Sequence, residues 1–384
     1  MKRVLLSLLA LFLLPLPGRA VEVQGKSAVL MDVATGTVLY EAQPNEKLAP
    51  ASVTKVMTML LIMEAVDDNR IMLTDMVTAS ETAAAKGGSQ VYLKAGETMS
   101  VEEMLKSIAV SSANDCACAM AEHIAGSEGA FVEKMNEKAA QLGMTDTHFV
   151  NCTGLDDGPE AAEHRTSARD IALMSRELLK QHPKIKEFTT IWMDTIRNGT
   201  FGLSNTNKLV RFYPGATGLK TGFTSGAGYC LSATAEREGL ELIAVVMGAE
   251  TSAKRNESCK QLLDYGFANY ALYTPELTEV LPVPVKLGKG ETVALELGET
   301  GQLLVEKAKK SGITWEISTE PEVSAPVSKG QRLGTMTVRT GETVLREIPL
   351  VAGEAVPRLT FPDLCVKVLR RAAMARNETS RGGS

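Results

Sequence analysis

The stretch Ala49-Pro50-Ala51-Ser52-Val53-Thr54-Lys55 leads into the first long helical pattern of the chain, residues 53–65. Pro50 suits the entry to a helix, and a three-residue spacing puts the Ser52 hydroxyl and the Lys55 amine on one helical face, about one turn apart. Serine is a poor nucleophile until a base takes its proton, and a lysine serves when burial and a second cation lower its pKa. A helix N-terminus adds a positive field and free N–H groups. The same spacing also describes an N-capping serine beside a solvated lysine, so the chemistry requires partners elsewhere in the chain.

Two segments downstream supply them. Ser112-Ala113-Asn114 falls between the helical patterns at 101–111 and 115–124, where a second hydroxyl can relay a proton and an amide can hold a substrate amide. Lys220-Thr221-Gly222 comes just before a strand pattern at 229–235. A strand there can pair its backbone with an extended peptide. Gly222 allows close approach, Lys220 supplies a cation, and Thr221 offers a hydroxyl to a carboxylate.

Around these segments the order of elements is informative. A strand pair at 28–40 turns at Ala34-Thr35-Gly36; helical patterns follow at 130–142 and 167–180, then strands at 229–235 and 240–247 and a helix at 258–270. Strands, helices and strands again predict an α+β domain with a mostly antiparallel sheet against a helical cluster. From about Tyr273 to Val356 short Val- and Thr-rich runs alternate with glycines and carry no His or Cys, which predicts a small all-β domain with a positioning role. The expected division is a leader at 1–20, a catalytic domain at 21–272, a small β-sandwich-like domain at 273–357 and a helical tail at 358–384.

Lys2 and Arg3, an apolar run from Val4 to Leu16 and the small residues Gly18 and Ala20 predict a secretory signal peptide cleaved after Ala20. The run is too short and too Pro-broken to span a bilayer. Loss of Lys2, Arg3 and Arg19 takes the net charge from −5 to −8. An acidic chain without zinc-finger or RNA-binding signatures gives no reason to bind nucleic acid. Six cysteines (Cys116, Cys118, Cys152, Cys230, Cys259, Cys365) are sparse for this length and are expected mostly as buried free thiols. Neither they nor the four histidines show metal-ligand spacing, so no metal or cofactor is expected. In the tail, Phe361, Leu364, Cys365, Val368, Leu369 and Ala372 share one side of a helix and Lys367, Arg370 and Arg371 the other, with Thr360 and Asp363 placed as a capping box. Such a basic amphipathic helix suits a membrane interface.

Taken in order, the three segments resemble those of the penicillin-binding protein and serine β-lactamase superfamily. The longer contexts, with Asn151-Cys152-Thr153-Gly154-Leu155-Asp156 and Gly218-Leu219-Lys220-Thr221-Gly222-Phe223-Thr224, are similar to the low-molecular-mass D-alanyl-D-alanine carboxypeptidases, peptidase family S11. The resemblance covers nearly the whole chain, leader, β-domain and tail included. It implies an exported enzyme at the outer face of the bacterial membrane that trims peptidoglycan stem peptides and is acylated by β-lactams. Ser52 is then the nucleophile, Lys55 its base and Ser112 a catalytic hydroxyl; Asn114, Lys220, Thr221 and Gly222 bind substrate. The backbone N–H groups of Ser52 and Phe223 form the oxyanion hole. Arg255 is expected at the rim, aiding the carboxylate, and His164 in a structural hydrogen bond. A β-lactamase is the enzymatic rival, but no Glu-x-x-Leu-Asn element lies between Ser112 and Lys220, and the β-domain points away from it. A non-catalytic penicillin-binding scaffold is the other, and the full set of motif residues opposes it.

Overall fold

A computed structural model describes residues 21–277, 280–299 and 302–366. The leader at 1–20 and the tail beyond 366 lie outside the described residues.

Strands β1 (Ser27–Asp32), β2 (Val38–Ala42), β3 (Ala216–Thr224), β4 (Gly228–Arg237) and β5 (Leu240–Ala249) form one antiparallel sheet in the order β2-β1-β5-β4-β3. β1 and β5 are apolar without alternation because both faces of the sheet are covered. Val29 and Met31 of β1, with Ile243, Val245 and Met247 of β5, point into the larger core, whereas Ala28, Leu30, Leu242, Ala244 and Val246 point into a second core on the other face. Helices α1 (Lys55–Asp67), α2 (Val101–Ser111), α3 (Asn114–Ala125), α4 (Glu128–Gln141) and α5 (Ala168–Gln181) contribute to the larger core. Helix α6 (Ser252–Asn269) covers the opposite face. α1 runs through the middle: every residue from Lys55 to Met63 is buried. A helix apolar all round belongs in such a place, and here it carries its first residue, a lysine, into the interior.

The predicted helices appear with ends shifted by a residue or two, except α6, which starts six residues before the expected 258. Its first turn is polar (Ser252-Ala253-Lys254-Arg255-Asn256-Glu257) and hides the apolar period, but Thr251 caps it by accepting a bond from the Lys254 N–H at 3.1 Å.

From α6 to residue 357 the described residues form strands and loops, with one 3-10 turn at Lys307–Gly312. Strand β6 (Tyr270–Tyr273) pairs with β7 (Leu303–Glu306), and β8 (Ile313–Thr319), β9 (Arg332–Thr340) and β10 (Thr343–Ala352) form an antiparallel meander extended by Leu295–Leu297. Residues 361–366 are helical, with Phe361 79% exposed. The Thr360 N–H donates to the Asp363 carboxylate at 3.0 Å, half of a capping box, and the Thr360 hydroxyl donates to the same carboxylate at 2.6 Å.

Candidate active site

Ala51–Thr54 forms a 3-10 turn ahead of α1, with Lys55 as the first α-helical residue. The Lys55 Nζ lies 2.9 Å from the Ser52 Oγ and donates to the Thr153 carbonyl at 2.8 Å. Burial lowers the Lys55 pKa to about 7, against the weaker raising pull of Cys152 and Asp115. A neutral amine there keeps a lone pair for the serine proton while an N–H holds the carbonyl.

The motif from Asn151 to Asp156 packs against this turn. Asn151 Oδ1 accepts from the N–H groups of Thr153 at 3.1 Å and Gly154 at 2.6 Å, folding the segment tightly. Gly154 has φ +82°, and a Cβ there would lie 1.8 Å from the Ala51 carbonyl oxygen. Only glycine fits. His164 is buried close by, its Nε2 2.8 Å from the Thr54 hydroxyl and its Nδ1 accepting from the Val150 N–H at 3.2 Å.

Ser112 ends α2 in a left-handed conformation (φ 62°) and α3 starts at Asn114, so one sharp turn carries both polar side chains. The Asn114 amide donates to the Gly87 carbonyl at 2.7 Å, and its Oδ1 is buried with no partner among the described residues. Asp115 accepts from the N–H groups of Val91, Leu93 and Cys116 and so ties residues 91–93 to this turn. A cavity of about 360 Å³ is lined among others by Lys86, Glu128, Asn151 and Thr153, and by none of Ser52, Lys55, Ser112, Asn114 or Lys220.

Lys220, Thr221 and Gly222 lie within β3, at the edge of the sheet. A Cβ on Gly222 would come within 2.7 Å of the Pro50 carbonyl and 3.1 Å of the Ser52 N–H nitrogen, so the absence of a side chain lets strand and nucleophile turn meet. The Lys220 Nζ donates to the Thr221 carbonyl at 2.9 Å; burial, then the charges of Lys55 and Arg255, hold its pKa well below the ordinary lysine value. The Thr221 hydroxyl donates to Thr206 Oγ1 at 2.7 Å. Phe223 is 54% exposed and stacks on Tyr229 with ring centroids 4.2 Å apart.

Arg255 does not stand at an open rim. It is 5% exposed, its guanidinium bonded to Asn256 Oδ1 and 3.5 Å from the Cys230 carbonyl, and it reaches the site through its charge on Lys220. Lys55, Lys220 and Arg255 form no ion pair among the described residues. Sequence reasoning missed Thr206, which no motif marks, and the Thr153 carbonyl, since backbone groups carry no residue signal. Cys116, Cys118, Cys152, Cys230 and Cys259 are buried free thiols; Cys118 and Cys152 both reach the Glu128 carboxylate, at 3.9 and 3.3 Å.

Residues 16–251 match the family described as D-alanyl-D-alanine carboxypeptidase, peptidase S11, and residues 276–358 match the C-terminal domain of penicillin-binding protein 5. The D-alanyl-D-alanine carboxypeptidase DacF of Bacillus subtilis (strain 168) is 46% identical over 88% of this chain and 87% of its own. The crystal structure of penicillin-binding protein 5 from Haemophilus influenzae superposes with a TM-score of 0.74 at 30% identity, covering 88% of this chain and 98% of that one. Penicillin-binding protein D2 from Listeria monocytogenes, in its ampicillin-bound form, superposes at 0.59 with 32% identity, covering 65% of this chain and all of that one (100%). With a serine and a buried lysine in contact at the head of α1, an edge strand against them and this likeness along almost its full length, the chain belongs to the peptidase S11 family of serine-type D-alanyl-D-alanine carboxypeptidases.

Proposed function

We propose that Ser52, Lys55, Ser112, Asn114, Lys220, Thr221 and the N–H of Phe223 carry out the carboxypeptidase reaction on peptidoglycan stem peptides. The observation behind this is the 2.9 Å contact between the Ser52 hydroxyl and a buried amine whose pKa falls to about 7. Neutral Lys55 takes the Ser52 proton as Oγ attacks the carbonyl of the D-Ala-D-Ala bond. The oxyanion is held by the N–H groups of Ser52 and Phe223. The terminal carboxylate lies against Lys220 and Thr221, and the unpartnered Asn114 Oδ1 accepts an N–H of the peptide. Ser112 relays the proton to the departing amine, D-alanine leaves, and water then cleaves the acyl ester and restores Ser52. Arg255 acts from behind, adding positive potential at Lys220.

A β-lactam offers a strained amide and a carboxylate to the same groups, in line with the ampicillin-bound relative. Fluorescent penicillin should label one peptide, at Ser52, and Ser52→Ala should abolish labelling. A label on another residue, or one surviving that substitution, would remove the nucleophile assignment.

The division of labour proposed is chemistry in 21–272, positioning by 273–357 and membrane contact by 358–384, after export through the leader at 1–20. The exposed Phe361 and Leu364 support the tail's part. Protein lacking the leader should float with anionic liposomes, less so in high salt, and deletion from Leu359 should abolish flotation while D-alanine release from a soluble peptide persists. Flotation by the deleted protein would assign membrane binding elsewhere.

A further inference from the structure

We infer that His164 is a positioning residue for the nucleophile turn: through Thr54 it fixes the Ala51 carbonyl and the left-handed backbone that presents Ser52. The inference rests on Ser52 being the nucleophile, as proposed above.

The imidazole is 3% exposed and has two polar neighbours. The Val150 backbone N–H, 3.2 Å from Nδ1, can only donate, so Nδ1 is the accepting nitrogen and the ring proton sits on Nε2. Nε2–H therefore donates to the Thr54 hydroxyl at 2.8 Å. Thr54 has one hydroxyl proton of its own, and that goes to the Ala51 carbonyl at 2.8 Å. Donation thus runs in one direction, from Val150 through His164 and Thr54 to Ala51, and each link polarises the next.

The end of this chain is the residue before Ser52. Ala51 has φ 49°, a region unfavourable for a residue with a Cβ that persists only where its surroundings over-determine it. Gly154 blocks the Ala51 carbonyl from one side, and the Thr54 hydroxyl holds it by a hydrogen bond. Phe149 fixes the imidazole plane by an edge contact with centroids 5.7 Å apart. Burial, then the charges of His148, Arg165 and Lys55, keep the ring's pKa near 4, so it stays neutral and in this one tautomer at neutral pH.

Thr54→Val keeps the side-chain shape but removes the acceptor and the donor, Thr54→Ser keeps both, and His164→Phe removes the ring's polar atoms. Acylation by a fluorescent penicillin is followed in each, separating the saturating first-order rate from the half-saturating concentration. The saturating rate should fall at least about 10-fold in Thr54→Val and His164→Phe, because small misplacements of a nucleophile cost up to about 10²-fold. Half-saturation should stay within about threefold, Thr54→Ser should acylate within about threefold of the parent, and the double variant should be no slower than the slower single one, as expected of one shared chain. A parental rate in Thr54→Val, an equal loss in Thr54→Ser, additive losses in the double variant, or failure of Thr54→Val to fold would each overturn the inference. Labelling of Ser52→Ala would instead overturn the nucleophile assignment beneath it.

Discussion

Around Ser52 the protein buries Lys55, Lys220 and Arg255 with no carboxylate paired to any of them, whereas in the C-terminal sheets every buried side chain among the described residues is apolar, from Val283 to Val356. The β-domain keeps its charges outside, in exposed pairs such as Lys286 with Glu322 and Lys309 with Glu306. Burying an unpaired cation costs several kcal/mol unless it gives up its proton, and exposed pairs contribute about 0–1 kcal/mol. The first region therefore tolerates a cost that the second avoids. Left-handed Ala51 and Ser112 and the overclose Gly154 lie in the first region, but left-handed Leu287 (φ 55°) lies in the second, so it is the buried cations that set the two apart. Buried cations gathered in one place mark where chemistry is done.

The sharpest way to break this contrast is Lys55→Ala. Loss of a positioned general base costs about 10²–10⁴ in rate, and the loss should remain at saturating substrate. Stopped-flow acylation measures it; a parental saturating rate would return Lys55 to a structural role. Lys220→Ala should fail differently, with weaker binding and an acylation profile moved to higher pH. A Lys220 that binds a carboxylate carries its charge, and a charge there disfavours a proton on Lys55, so removing it lets Lys55 hold its proton longer. An unmoved pH profile would strip Lys220 of its electrostatic part.

Stability gives a third test. Lys55 falls from 10.5 to about 7 on folding, so between those values the unfolded chain binds a proton that the folded chain has lost. Unfolding then takes up a proton, and stability rises with pH through that window, with the full cost of the buried charge present below pH 7. Between pH 7 and 9 the parent should gain roughly 2 kcal/mol relative to Lys55→Met in urea unfolding. A pH-independent difference would mean that Lys55 stays charged in the fold. The smallest effect belongs to the β-domain, where Lys286→Ala should change stability by less than about 1 kcal/mol and leave acylation unaltered. A larger loss would blur the distinction between the two regions.

Much of this was legible in the sequence because the physics is local. The order of strands, helices and strands announces an antiparallel sheet against a helical cluster, and the Ser52-to-Lys55 spacing places hydroxyl and amine together whether the turn is 3-10 or α. What stayed hidden depends on distant packing. The burial of Arg255 follows from α6 lying on the sheet, behind a polar first turn that reads as surface. Thr206 meets Thr221 only because residues 205–207 fold back on β3, with Asn207 Nδ2 donating to the Gly218 carbonyl at 2.8 Å. Cys118 and Cys152 are 34 positions apart in sequence and share Glu128 only once α3 and α4 pack together.

The central claim, that the buried lysines and Ser52 form the machine that cleaves D-Ala-D-Ala, is tested most directly by free D-alanine. The protein without its leader is incubated with a muropeptide ending in D-Ala-D-Ala, and released D-alanine is quantified beside Ser52→Ala. Release by the parent and none by Ser52→Ala is the predicted result; equal release by both would contradict it.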